Sequence, residues 1–339
     1  MNNFNYRKVT EVSDALSNVS KNPDSYFIAG GTNLIDLWKY NLLHPSNLLD
    51  INSIDTLNTI SKDKDGRLHL GALVTNSDTA YHDLVENNYP LLSKAILAGA
   101  SAQIRNSATN GGNLLQRTRC YYFYDAAVPC NKRNPGSGCP AKDGLNRMHA
   151  ILGTSEQCIA VFPSDMSIAL AALEARIHVT STTGDRIIEF ADFHRLPGNT
   201  PELDNNLKSG ELITGLSLPP EGFSKNYSYL KLRDRSSYAF ALVSVATGMD
   251  LEDGNIKKIR IALGGVSHKP WRVPEAENFL IDKEPNESNF ATAADMILNG
   301  AVGFGKNDFK IELSKRAIIR NCMMALNPEC QRPGAQPSL

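Results

Sequence analysis

Four cysteines, Cys120, Cys130, Cys139 and Cys158, fall within 39 residues of a 339-residue chain that has six in all. Cysteine sulfur ligates zinc and iron–sulfur clusters and also forms disulfides. The spacing is Cys-x9-Cys-x8-Cys-x18-Cys. It lacks the C-x2-C knuckles of zinc ribbons and the C-x2-C-x2-C run of bacterial ferredoxins. Spacing alone therefore leaves a cluster, two disulfides and an irregular zinc site open. The surrounding residues favour a cluster. Residues 117–147 carry Arg117, Arg119, Lys132, Arg133, Lys142 and Arg147 against only Asp125 and Asp143. A centre held by four thiolates is anionic and is tuned by nearby charge and hydrogen bonds. The run Tyr121-Tyr122-Phe123-Tyr124 would shield it from water; the plain alternative is a basic, solvated loop with aromatic packing. His149 reads as a structural or hydrogen-bonding residue rather than a ligand. Cys322 falls on the apolar face of a helix and reads as core, and Cys330 as a free tail residue.

Two glycine pairs offer a different chemistry. Gly30-Gly31 and Gly111-Gly112 each end an element and precede or enclose a polar Thr/Asn-rich turn. Glycine permits positive φ and lets backbone amides approach a ligand, and successive amides bind phosphate oxygens. Two such loops would clamp the two halves of a dinucleotide pyrophosphate; the plain reading of each is a tight turn. No G-x-G-x-x-G occurs, which argues against a Rossmann nucleotide domain. Gly300–Lys306 matches the first seven positions of a phosphate-binding P-loop, but Asn307 replaces the required Ser/Thr and a helical pattern precedes it.

The elements that must position these residues follow from periodicity. Residues 11–20 read as a helix, 25–29 and 47–51 as strands, and Leu34, Ile35, Leu37 and Trp38 as the apolar face of a second helix capped by Thr32. This small α/β unit closes near residue 60, with a further strand at 67–71. Helices are expected at 77–87 and 90–101, with Pro90 opening the second. Residues 117–158 break every periodic pattern. A helix over 165–174 and strands at 176–180, 186–190, 212–218 and 227–233 follow. Strands at 240–251 and 256–264 form an antiparallel pair across Asp253-Gly254-Asn255, and helices near 287–299 and 310–325 close the chain. The fold class is α+β, divided as 1–60, 61–222 with an insertion at about 117–160, 223–330, and a tail at 331–339. A net charge of −1 gives no reason to expect nucleic acid or an anionic membrane as partner, and no apolar run is long enough to span a bilayer. The N-terminus shows no export signal of its own, so the expected compartment is cytoplasmic, or periplasmic by co-export with a partner.

One family unites the glycine pairs. Ala29-Gly30-Gly31-Thr32-Asn33-Leu34, followed by Thr109-Asn110-Gly111-Gly112-Asn113-Leu114, resembles the FAD-binding subunits of the xanthine dehydrogenase and aldehyde oxidoreductase family, the molybdenum hydroxylases. The resemblance continues through Pro163-Ser164-Asp165, Lys231-Leu232-Arg233, Leu263-Gly264-Gly265-Val266 and Pro270-Trp271-Arg272, and so runs in order along nearly the whole chain. It implies a two-subdomain FAD-binding domain of the vanillyl-alcohol-oxidase/PCMH type followed by a C-terminal antiparallel sheet with helices. It also implies that both glycine loops hold the FAD pyrophosphate through backbone amides, that Asp165 lies near the ribose or flavin, and that Lys231 lies near the isoalloxazine ring. The insertion Cys130-Asn131-Lys132-Arg133 through Asn146-Arg147-Met148-His149-Ala150 is most similar to that of the flavin subunits of bacterial periplasmic aldehyde oxidoreductases. By that similarity Cys120, Cys130, Cys139 and Cys158 ligate one 4Fe–4S cluster.

The resemblance implies a heterotrimer. A molybdopterin-binding large subunit would oxidise an aldehyde or related substrate, a 2Fe–2S ferredoxin-like small subunit would relay electrons, and this chain would receive them on non-covalent FAD for delivery to an external acceptor. No nucleophile–base constellation stands out in the sequence, so no catalytic residue is expected here. Two other readings remain: a stand-alone flavin oxidase or reductase whose insertion is structural, and a non-catalytic module scaffolded by zinc or disulfides.

Overall fold

Three short parallel strands open the chain in the computed structural model, which describes residues 2–22 and 24–328. Cys330 and the tail at 331–339 lie outside the described residues. β1 (Asn5–Lys8), β2 (Ser25–Ile28) and β3 (Asn47–Asp50) pair in the order β1-β3-β2, with α1 (Val12–Lys21) and α2 (Leu34–Lys39) as crossovers. α1 turns Ala15, Leu16 and Val19 inward, and Ala15 and Leu16 join Ile51, Ile54 and Leu57 in a small core. The sequence reading finds β2, β3 and both helices and misses β1, whose four residues are all exposed and carry no alternation. Thr32 does not cap α2: the capping position is Asn33, in helical conformation and without a side-chain cap bond.

The second unit contains β4 (Ile60–Lys62), β5 (Leu68–Gly71), α3 (Asn76–Ala80), α4 (Asp83–Asn88), α5 (Pro90–Ala98), α6 (Ala102–Arg105), α7 (Asn110–Leu114) and the one-turn α8 (Tyr121–Tyr124). It continues with α9 (Asp165–Ala172), β6 (Arg176–Ser181), β7 (Gly184–Glu189), α10 (Phe190–Phe193) and β8 (Leu212–Leu218). Its five strands form an antiparallel sheet in the order β4-β5-β8-β6-β7, so the strand at 67–71 belongs here. The helix expected at 77–87 is two pieces, because the His82 ring accepts from the Leu84 amide at 3.2 Å and starts a new helix. The helix expected at 90–101 ends at Ala98, where Gly99 is extended and Ala100 has φ +51°. Leu91, Leu92 and Ile96 of α5 pack with Ile168 and Leu170 of α9 and with Ile177 and Leu216 of the sheet.

β9 (Asn226–Leu232), β10 (Val243–Glu252) and β11 (Asn255–Gly264) form an antiparallel sheet in the order β11-β10-β9. Asp253 and Gly254 both take positive φ in the β10–β11 turn, the geometry that matches strand twist in a two-residue hairpin. α11 (Pro274–Leu280), α12 (Glu287–Ile297) and α13 (Phe309–Ala325) cover this sheet, and Ile318, Cys322 and Ala325 of α13 join its core with Val245 and Ile261. Cys322 is thus a core residue, as its position implies. α11, only seven residues long, is too short for periodicity to reveal. The architecture is α+β, and among the described residues no helix is long and apolar enough to cross a membrane.

Candidate functional site

A cleft of ≈ 540 Å³ lies between the first unit and the start of β8. Six of the residues expected to hold a cofactor line it on one side, Ala29, Gly30, Gly31, Thr32, Asn33 and Leu34, and three more, Thr109, Gly111 and Gly112, face it from the other. The two glycine loops therefore meet across one cleft despite the 80-residue separation. They touch directly: the Ser107 hydroxyl donates to the Gly30 carbonyl at 3.1 Å. A Cβ placed on Gly30 would fall 1.8 Å from the Ser107 carbonyl oxygen, so only glycine fits. Gly31 needs glycine for another reason, its φ of +69°.

The loops differ in what they offer. The amides of Gly31, Thr32 and Asn33 donate to no protein acceptor among the described residues, and the Asn33 side-chain Nδ2 is buried without a partner. The buried Asn33 nitrogen calls for an acceptor, and the open amides beside it suit an anionic phosphate. In the second loop the Gly111 amide donates to the Ala72 carbonyl at 2.9 Å and the Gly112 amide to the Thr109 hydroxyl at 3.2 Å. The second loop thus shapes the cleft with glycines, while the open amides belong to the first. The first loop's open amides and the orphaned Asn33 nitrogen fit a dinucleotide pyrophosphate.

Asn113, Asp165 and Lys231 lie outside this cleft. Asn113 donates to Asn76 at 2.7 Å and accepts from the Ser164 hydroxyl at 2.6 Å, which ties the second loop to the start of α9. Asp165 lines a small neighbouring cavity with Pro163, Ser164, Phe162 and His149. Lys231 is almost fully buried; its Nζ pairs with Asp165 at 2.7 Å and donates to the Ala98 carbonyl at 3.1 Å. Tyr229 donates to the other Asp165 oxygen at 2.6 Å. The Lys231 ammonium is thus taken up by Asp165 and the Ala98 carbonyl.

All four clustered cysteines line one further cavity, with His149, Phe123 and Lys132. The five described cysteines are free thiols, so the disulfide reading has no pair to rest on. Among the described residues no group of three or more His, Cys, Asp or Glu side chains is placed to hold a metal ion. Burial pushes the Cys120 thiol up to about 12 and Cys158 up to about 11, although Lys132 opposes the shift at Cys158; burial also raises Cys139. Four thiols lining one cavity are, by chemistry alone, the donor set that an iron–sulfur centre takes.

The insertion's cations behave differently from the expectation of a common positive field. Arg119 pairs with Asp36 at 2.5 Å, Arg147 with Asp234 at 2.7 Å, and Lys142 with Glu156. Arg133 donates to the carbonyls of Tyr122, Phe123 and Val128. Arg117 and Lys132 converge on Asp204 at 2.6 and 2.5 Å. Burial alone would raise the Asp204 carboxyl, but these two cations hold it below the ordinary carboxylate value. Of the six, only Lys132 lines the cysteine cavity, and Arg117 lines the cleft instead. The aromatic run divides likewise: Phe123 is buried at the cysteines while Tyr121 is exposed. Sequence reasoning also missed Leu207, Gly210 and Ile213, which close the cleft from a loop and strand that carry no motif.

Residues 2–221 match the family described as the FAD binding domain in molybdopterin dehydrogenase, and residues 227–312 match the CO dehydrogenase flavoprotein C-terminal domain. The chain belongs to the FAD-binding flavoproteins of the molybdopterin dehydrogenases. Both glycine loops and the rest of the cleft lining lie inside the first match. The chain is 46% identical over 320 residues to the aldehyde oxidoreductase FAD-binding subunit PaoB of Escherichia coli (strain K12), across 94% of this chain and 96% of that one. It is 29% identical to the glyceraldehyde dehydrogenase medium chain of Sulfolobus acidocaldarius, over 84% of this chain and 83% of the other. A chain of quinoline 2-oxidoreductase from Pseudomonas putida 86 superposes with a TM-score of 0.73 at 25% identity, covering 96% of this chain and 97% of that chain. A chain of the carbon monoxide dehydrogenase of Hydrogenophaga pseudoflava has the same fold, with a TM-score of 0.75, 22% identity and coverage of 96% and 97%. This flavoprotein is accordingly the FAD-carrying component of an oxidoreductase.

Proposed function

We propose that the chain is the electron-transfer subunit of a heterotrimeric, molybdenum-dependent aldehyde oxidoreductase. Its partners are a molybdopterin-binding large subunit and a 2Fe–2S small subunit, and Cys120, Cys130, Cys139 and Cys158 hold a 4Fe–4S cluster. The observation that carries the aldehyde reading is the 46% identity to an aldehyde oxidoreductase FAD-binding subunit along 94% of the chain. Convergence of the four thiols on one cavity supports the cluster. Bound FAD supplies a centre that exchanges electrons singly or in pairs. The chain's own residues bind and orient it. The open amides of Gly31, Thr32 and Asn33 meet the pyrophosphate, and Gly30 lets the two loops close on it. Asp165, fixed by Lys231 and Tyr229, presents a hydrogen-bonded carboxylate to the neighbouring cavity. Phe123 and Phe162, both buried, keep water from the cysteines and from that cavity.

Iron, acid-labile sulfide, zinc and FAD are to be measured on the full chain purified anaerobically, with Cys139→Ser alongside. About four iron and four sulfide per FAD are expected, lost in the variant while FAD stays. FAD without iron would reduce the insertion to a structural loop and favour a stand-alone flavoenzyme. Absence of FAD would remove the flavin reading itself.

A further inference from the structure

His149 stands in the wall between two cavities. With Thr118 and Cys120 it lines both the cysteine cavity and the one that holds Asp165. Its Nε2 is 3.1 Å from Cys120 Sγ, and the residue is 2% exposed. Nδ1 is buried and meets no partner among the described residues. A proton on Nδ1 would therefore go unmet, whereas one on Nε2 points at sulfur. Bound to a metal centre, Cys120 would be a thiolate that only accepts, so the ring would donate to it.

The backbone holds this geometry from three directions. The His149 amide donates to the Asn146 carbonyl at 2.8 Å. The His149 carbonyl accepts from Lys310 Nζ at 2.8 Å and from Asn307 Nδ2 at 3.3 Å. Asn307 and Lys310 are both fully buried, and Lys310 also donates to the Gly265 carbonyl. The Asn307 that spoils the P-loop match thus serves as a clamp on His149. These contacts fix the backbone from which the ring reaches Cys120 Sγ.

We infer that His149 is the positioning residue that holds Cys120 by an N–H···S bond and raises the reduction potential of the centre the cysteines carry. The inference rests on the cluster reading above. Donation to a ligand sulfur favours the more negative, reduced state, one of the protein's established means of tuning such centres. Its loss should shift the reduction equilibrium about tenfold, equivalent to about 59 mV for a one-electron couple.

The test is a redox titration followed by electron paramagnetic resonance on the full chain, comparing wild type, His149→Phe and His149→Gln, after metal and FAD analysis of each. His149→Phe should keep iron and FAD and titrate about tenfold lower; His149→Gln, which retains an N–H donor, should recover most of the shift. A loaded His149→Phe protein with an unchanged midpoint overturns the inference. Wild-type chain labelled with 15N-histidine gives a second readout that does not depend on any variant folding. A weak 15N coupling to the reduced centre is expected, while no coupling, or the strong coupling of a direct iron ligand, overturns the assignment. Wild-type protein with FAD and no iron fails at the metal analysis; it overturns the cluster reading, and this inference with it, before any midpoint is compared.

Discussion

Gly30 and Asp204 illustrate how one residue gains its role from what it touches. Gly30 sits where two loops 80 residues apart nearly collide, and a methyl group there meets the Ser107 carbonyl. Overpacking of this kind costs about 1–3 kcal/mol, enough to weaken retention of FAD about tenfold. Gly30→Ala should therefore purify with the fold intact by circular dichroism and with substoichiometric flavin; full flavin occupancy would contradict the role given to this contact. Gly31→Ala places strain at φ +69° instead and should lose flavin through backbone distortion. Asp204 neutralises two cations at once, and the Lys132 side chain is 1% exposed. Breaking a buried pair by removing one partner costs about 3–5 kcal/mol. Asp204→Asn should lower the unfolding free energy toward the lower end of that range, because Asp204 itself keeps some access to water. Chemical denaturation measures it, and a loss below about 0.5 kcal/mol would leave the pair no structural role.

At the scale of elements, the insertion is the unusual part. It has almost no regular structure, only the single turn of α8, so its order must come from side chains that cross to other segments. Lys132 and Arg117 reach Asp204, Asn131 reaches Gln157, and Asn146 reaches the Phe304 carbonyl. Such a segment opens more readily than a packed helix because few backbone hydrogen bonds resist it. Limited proteolysis should cut first near the exposed stretch 125–127, and cutting should accelerate several-fold in Asp204→Asn while the rest of the chain stays resistant. Equal rates in the two proteins would show that other contacts order the insertion. The hairpin of β10 and β11 gives the contrasting case, since its turn, register and pairing are all local.

For the whole molecule, buried histidines tie stability to pH. The His194 ring donates from Nε2 to the Leu114 carbonyl at 3.0 Å, and burial pushes it down to about 4. His268 lies beside Lys132 and is also pushed down to about 4, by burial first and by that cation second. Both rings are neutral in the native state well below the ordinary value of 6.5. Between pH 6.5 and 4 these two histidines bind protons in the unfolded chain that they refuse in the folded one, so their contribution to stability is complete above that window and is lost as pH drops through it. The slope is about 1.4 kcal/mol per pH unit for each histidine. Urea midpoints should decline steadily from pH 6.5 to 4.5; a level midpoint across that window would rule out buried neutral histidines as the cause.

The sequence by itself determined the fold class, most helices and strands, the two glycine loops and the four cysteines, because each rests on local pattern or on an ordered set of short motifs. It also placed Cys322 in the core from helical spacing alone. Tertiary structure decided what those residues do to one another. Only the fold brings Gly30 against Ser107, leaves the first loop's amides open while occupying those of the second, and diverts Lys231 into an ion pair with Asp165. Composition suggested a positive field around the cysteines, yet most of those cations are spent on distant carboxylates and carbonyls. Net charge along a segment says nothing about which partner each long side chain reaches. The ring of His149 and the clamp of Asn307 and Lys310 on its backbone join residues about 160 positions apart, a coupling that no local period or motif encodes.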